Sequence, residues 1–242
     1  MLKNQKKTTE SNHTIKDTLE NLTIIELKSV NCYLLKVKDG YILIDCGLSK
    51  NRAEVEKRIK QAGCNYGDLK LILLTHGDFD HTGNCAYIRT KFDSEIAMHH
   101  EDSGMVEFGD FSWNRNLGFI MRILGKMMTR LFGLSLKKKD RFKPDFYLRE
   151  GKILTDYGFN ATVYHIPGHS KGSIGFLTAE GDLFCGDLLM NKDKPVKFNM
   201  IVDNEAFKNS VDKLRTLDIN TVYPGHGKPF LMKDFFDNYN EG

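Results

Sequence analysis

Proline is scarce in this chain, five in 242 residues, and no tract is rich in it. No linker of that kind divides the sequence, and no internal repeat or low-complexity segment does either, so one domain is expected over residues 21–242. Cysteine is also sparse: Cys32, Cys46, Cys64, Cys85 and Cys185 are odd in number and never spaced as CxxC. That pattern argues against a disulfide framework and reads as reduced thiols in a cytoplasmic protein. No window approaches the roughly 18 uninterrupted apolar residues of a membrane span, so no stable membrane insertion is expected. Residues 1–20 lack the apolar core of a signal peptide and read as a flexible tail. An excess of one charge is missing too; a net charge of +3 supplies no broad basic surface, and nucleic acid is not an expected partner.

What is present is concentrated at residues 71–84, Leu-Ile-Leu-Leu-Thr-His-Gly-Asp-Phe-Asp-His-Thr-Gly-Asn. The run from Lys70 to Thr75 predicts a strand buried on both faces. His76, Asp78, Asp80 and His81 follow it at once. Four groups able to bind a metal, at the end of a rigid strand, are denser than a turn needs for solubility. Imidazole and carboxylate together suit zinc, iron or manganese, and no thiolate lies near enough for a Cys-built zinc site.

Short strands are predicted over Leu22–Leu27, Asn31–Val37 and Tyr41–Asp45, with a Lys-Asp-Gly hairpin turn at Lys38–Gly40. Asp45 ends an apolar strand, either as a carboxylate behind a metal-bound imidazole or as a plain cap. Ser49–Gly63 predicts a helix with Ala53, Val55, Ile59 and Ala62 inward, and Cys85–Lys91 a second one. Adjacent His99 and His100 point in different directions and read as packing residues. A helical insertion is expected at about 104–142. Within it Leu117–Leu136 is apolar with Arg122, Lys126 and Arg130 four apart, and it reads as a lid, a homodimer contact or a membrane-surface helix. Trp113 and Met105, Met121, Met127 and Met128 would suit an adaptable pocket wall or fill core. Further on, strands end in Pro167-Gly168-His169, in Gly186-Asp187 and in Pro224-Gly225-His226, and Ala206–Leu217 predicts an amphipathic helix. Lys192, Lys194 and Lys197 read as a solvated basic loop or as a grip on an anionic substrate.

Apolar strand, sharp turn, metal-competent side chain: this motif recurs at 76–81, 169, 187 and 226. In that order it resembles the metallo-β-lactamase fold superfamily, whose HxHxDH loop is followed by separate His, Asp and His ligands. The resemblance runs from about Leu22 to Phe230. It implies an α/β four-layer αββα sandwich, two mixed β-sheets flanked by helices. It also implies two divalent metal ions, zinc first, with iron or manganese as alternatives. His76, Asp78 and His169 would hold one, Asp80, His81 and His226 the other, and Asp187 would bridge them, with Asp45 behind. One position departs from the pattern: Asp78 replaces a histidine, which makes the centre less positive and favours harder metals. The implied activity is that of a dinuclear metallohydrolase. It would use a metal-bridging hydroxide to cleave a small-molecule ester, lactone or thioester, with Asp80 and Asp187 as catalytic groups. Phosphodiesterase or β-lactamase-like hydrolysis on the same fold is the nearer alternative. A diiron-type oxidoreductase is the farther one, because such proteins carry a flavodoxin-like domain that is not expected after Gly242.

Overall fold

Alternating burial along the strands dictates the layering. In β4 (Leu69–Leu73) Lys70 alone is exposed, Leu71 and Leu73 face one core, and Leu69 and Ile72 face another. A strand buried on both sides must be covered on both, as a mixed or parallel sheet requires. The computed structural model describes residues 21–114 and 135–239, together with Ile120, Ile123, Leu124, Met127 and Thr129. The expected tail at 1–20 lies outside the described residues, as does most of the 117–136 segment.

The first sheet has the order β1-β2-β3-β4-β5-β6. Its other members are β1 (Leu22–Glu26), β2 (Asn31–Val37), β3 (Gly40–Ile44), β5 (Glu95–His99) and β6 (Phe146–Leu148). β1, β2 and β3 pair antiparallel, whereas β3 to β6 pair parallel. The second sheet has the order β12-β11-β9-β8-β7, with β10 also on β9. It is built from β7 (Ala161–His165), β8 (Ile174–Thr178), β9 (Asp182–Asn191), β10 (Pro195–Lys197), β11 (Thr221–Gly227) and β12 (Phe230–Leu231). β9 and β11 are parallel and the other pairs antiparallel.

Ile42, Leu71, Leu73, Val163, Phe176, Phe184 and Tyr223 fill the space between the sheets. Helices Arg52–Gln61 and Cys85–Phe92 close the outer face of the first sheet with Val55, Ile59, Ile88 and Phe92. Helices Asn204–Arg215 and Met232–Asn238 close the second with Phe207, Val211, Leu214 and Phe235. The order is therefore helix, sheet, sheet, helix, as expected. Ala53 is exposed rather than inward, because it lies two residues before Val55, about 200° round the helix from the stripe that buries Val55 and Ile59.

Two strands run further than their turn residues suggest. β9 continues through Gly186-Asp187 to Asn191, and β11 through Pro224-Gly225-His226 to Gly227. The register of this parallel pair shifts on both sides of Pro224. The shifts absorb a residue that cannot donate to the ladder, and Gly186 takes a left-handed φ of 52°. Asp187 and His226 thus project from neighbouring paired strands rather than from free turns. Hydrogen bonds between the sheets fix this end of the molecule: Ile174 N donates to Thr75 O at 2.8 Å, and the Tyr33 hydroxyl donates to Pro224 O at 2.6 Å. Among the described residues no helix is long and apolar enough to cross a membrane.

Candidate metal centre

All seven predicted side chains meet at this end. β4 delivers His76, Asp78, Asp80 and His81, the loop after β7 delivers His169, and β9 and β11 deliver Asp187 and His226. Three overlapping groups have ligating atoms within 4.8 Å of one another: His76, Asp78 and His169; Asp80, His81 and His226; and His76, His81 and Asp187. Asp187 is common ground. Its Oδ2 is 3.1 Å from His226 Nε2 and 3.9 Å from both His76 Nε2 and His169 Nε2, and its Oδ1 is 3.2 Å from His81 Nε2. Gly225 is required beside it, since a Cβ there would fall on Asp187 Oδ1 and His81 Cε1.

Each imidazole is aimed by its other nitrogen. Asp45 Oδ2, Met200 O and Ser29 O stand against Nδ1 of His81, His169 and His226. These oxygens only accept, so each Nδ1 donates to them and each Nε2 is the nitrogen turned inward. His76 follows the same rule through Thr75. That hydroxyl donates to Asp45 Oδ2 at 2.8 Å and so accepts from His76 Nδ1 at 2.9 Å. Asp45 itself holds a left-handed φ of 58°, kept there by its bonds to Thr75 and His81.

The donor set is that of a cation site. His76 Nε2, His81 Nε2 and Asp187 Oδ1 are buried without a hydrogen bond of proper geometry. Such groups are costly to bury unless something compensates them. Burial acts to raise Asp187, but His81, His226 and His76 overcome it and hold the carboxyl well below its ordinary value. Burial acts to lower His81, but Asp187, Asp45 and Asp80 reverse that and hold its pKa well above the usual one. Burial and the neighbouring His81 push His76 well down. A proton on His81 therefore occupies electrostatically the place a cation would take. Asp45→Asn is expected to weaken metal affinity about 10–100-fold by loosening His81 and Thr75. A metal titration with unchanged affinity would show that Asp45 does not orient them.

Asp78, Asp80, Asp187 and His226 lie in the lining of a cleft of about 910 Å³. Its apolar wall comes from Phe79, Phe111, Phe198, Met190 and Met200, and Lys28, Lys192 and Lys228 also line it. Phe198 stacks on the His226 ring, 5.0 Å between centroids, and meets His169 edge-on at 5.2 Å. Of the residues suggested for that wall, the described ones do not line the cleft. Trp113 packs on Phe108 and over Gly104, Met105 is buried against Gly77, and Met127 is exposed. The side chains of Met121 and Met128 lie outside the described residues. His99 stacks on His165 at 4.5 Å as a packing residue, and His100 is exposed.

The model of the metallo-beta-lactamase superfamily matches residues 25–226. The chain belongs to that superfamily. It is similar to the hydroxyacylglutathione hydrolase GloC of Haemophilus influenzae, 33% identical over 174 residues, which are 70% of this chain and 72% of that protein. It is also similar to the probable metallo-hydrolase YqgX of Bacillus subtilis, 28% identical over 201 residues, 81% and 84% of the two chains. Among solved structures, the B3 metallo-beta-lactamase BLEG-1 superposes with a TM-score of 0.71 at 23% identity, covering 90% of this chain and 97% of that one. TTHA1623, solved in a di-iron-bound form, gives 0.68 at 27% identity, covering 91% and 98%. This superfamily member is a metallohydrolase with the two-sheet architecture of its relatives.

Thr75, Asn31 and Tyr33 were not legible as site residues. Asn31 Nδ2 donates to Pro224 O at 3.1 Å and Gly227 O at 2.7 Å, gripping the backbone on both sides of His226. A signal existed only for Thr75, which is the polar end of an apolar strand next to a ligating histidine.

Proposed function

We propose that this metallohydrolase is dinuclear and cleaves a small thioester. His76, Asp78 and His169 would hold one divalent cation, Asp80, His81 and His226 the other, and Asp187 would lie between them. The observation that carries this reading is that the group His76, His81 and Asp187 shares a histidine with each of the other two donor groups, with the Nε2 atoms turned inward and those of His76 and His81 buried without a hydrogen bond. Zinc is the first choice of metal. The three carboxylates Asp78, Asp80 and Asp187, and a relative solved with two irons, support iron as its competitor. Bound divalent cations supply Lewis acidity and make water acidic enough to act near neutral pH.

The rest of the work falls to the chain. Asp45, Met200 O and Ser29 O hold His81, His169 and His226 so that nothing must reorganise during reaction. Asp80 opens toward the cleft. Without cations, burial, helped by Asp187 and Asp78, pushes it up against the pull of His81 and His226; its place at the cleft suits Oδ2 to take a proton from water and deliver it to the leaving sulfur. Phe79, Phe111 and Phe198 exclude water from the substrate's apolar part.

An acylglutathione is a thioester, and the name of the Haemophilus influenzae relative supports that substrate class over lactone, phosphodiester or β-lactam. A panel of those four, run on protein of measured metal content with Asp187→Ala as control, tests it. The thioester should be turned over at least about tenfold faster than the others. Thioester turnover no faster than that of the control, alongside real turnover of another class, overturns it.

A further inference from the structure

We propose that Asp102 is a positioning residue that sets the first-site ligands His76, Asp78 and His169 against one another; this rests on the ligand reading above. Asp102 is fully buried, at the turn after β5 that leads into helix Ser103–Phe108. It occupies the N-cap position of that helix, yet its side chain caps nothing there. Its oxygens reach elsewhere. Oδ2 accepts from Gly77 N at 2.9 Å and from the Ser170 hydroxyl at 2.6 Å. Oδ1 accepts from Gly172 N at 2.8 Å and from the Asn114 side-chain amide.

Those donors bracket the ligands. Gly77 lies between His76 and Asp78, and Ser170 follows His169. One carboxylate thus ties the loop leaving β4 in the first sheet to the loop leaving β7 in the second, where the first cation would sit between them. Gly172 belongs to the same device, because a Cβ there would collide with the Asp102 carboxyl. Among the described residues no cationic side chain pairs with Asp102. Four donors on two oxygens, two of them backbone N–H groups from different loops, demand an ionised carboxylate rather than an amide. Asparagine keeps the volume but turns an NH2 toward a backbone donor, Gly77 N or Gly172 N, so one of these two bonds is lost and the tie between the loops loosens. Geometry at the centre tightens or loosens with ligand placement of well under an ångström, which gives a buried tie of this kind leverage over affinity.

The test is a cobalt(II) titration of the full chain, followed by visible absorption, comparing wild type with Asp102→Asn and Ser170→Ala. In Asp102→Asn one of the two dissociation constants should rise about tenfold or more, with a changed absorption band, while the other stays within about twofold. A residue that only supports the fold would lower the melting temperature of metal-free protein and leave the constants of the folded fraction alone. That result, or an equal shift of both constants, overturns the proposal. Should Asp102→Asn not fold, Ser170→Ala decides: loss of one hydrogen bond should weaken the same site roughly fivefold, and wild-type binding overturns the proposal. His169→Ala separates this from the ligand reading. If that variant takes up cobalt like wild type, His169 is not a ligand, whatever the Asp102 variants do.

Discussion

Asp187→Asn is expected to lower kcat/KM by about a thousandfold or more and to leave no more than one metal per chain. The side chain is buried, and both its oxygens face imidazole Nε2 atoms, at 3.1 Å toward His226 and 3.2 Å toward His81. Asparagine fits the same space beside Gly225 but brings no charge, and its NH2 points at one of the two histidines or at the cation between them. Removing charge from the carboxylate that faces His76 and His169 on one side and His81 and His226 on the other differs from trimming a peripheral ligand such as Asp80, which meets His81 and His226. Elemental analysis together with steady-state kinetics on the best thioester checks this. Activity within about tenfold of wild type, with two metals retained, would sink the bridging role of Asp187.

Stripping the metals with a chelator should lower the melting temperature by about 10 °C, and adding them back should restore it. A cation held at about a thousand times its Kd stabilises the folded chain by about 4 kcal/mol, and each kcal/mol moves the melting point of a chain this size by roughly 2–4 °C. The physical source is visible in the site. Asp78 and Asp187 are buried, Asp80 is partly so, and the Nε2 atoms of His76 and His81 have no hydrogen-bond partner. Without cations the folded state confines these groups with only protons to compensate them. Calorimetry before and after chelation is the measurement. An unchanged melting point in protein shown to be metal-free would mean that the cluster is satisfied by its own hydrogen bonds and is not built around cations.

The seven clustered side chains could be read in advance because each announces itself locally, as a ligating residue placed just past an apolar strand. Asp45 could be read for the same reason, and its bond to His81 follows from where β3 ends beside β4. Asp102 could not. Before Ser103-Gly104 it looks like a helix cap, and its partners Gly77, Ser170 and Gly172 lie 25, 68 and 70 residues away. Nor did Gly186 or Pro224-Gly225 reveal that their strands continue, because pairing with a parallel neighbour outweighs the local preference for a turn. Composition allowed Trp113 and Met105 to be pocket wall or core, and they pack away from the cleft; among the described residues the phenylalanines that line it are Phe79, Phe111 and Phe198, drawn from separate stretches of chain.

Residue type and strand-to-turn periodicity, both local in the chain, by themselves picked out metal-competent side chains placed after apolar strands; that these gather along one edge came from the family resemblance. Tertiary structure alone decided the rest: which nitrogen of each imidazole turns inward, which carboxylate touches both halves, and which buried acid ties two loops together. Those are matters of direction and distance between segments far apart in sequence, set by how the two sheets pack across Phe176, Phe184 and Tyr223, and no local pattern encodes them.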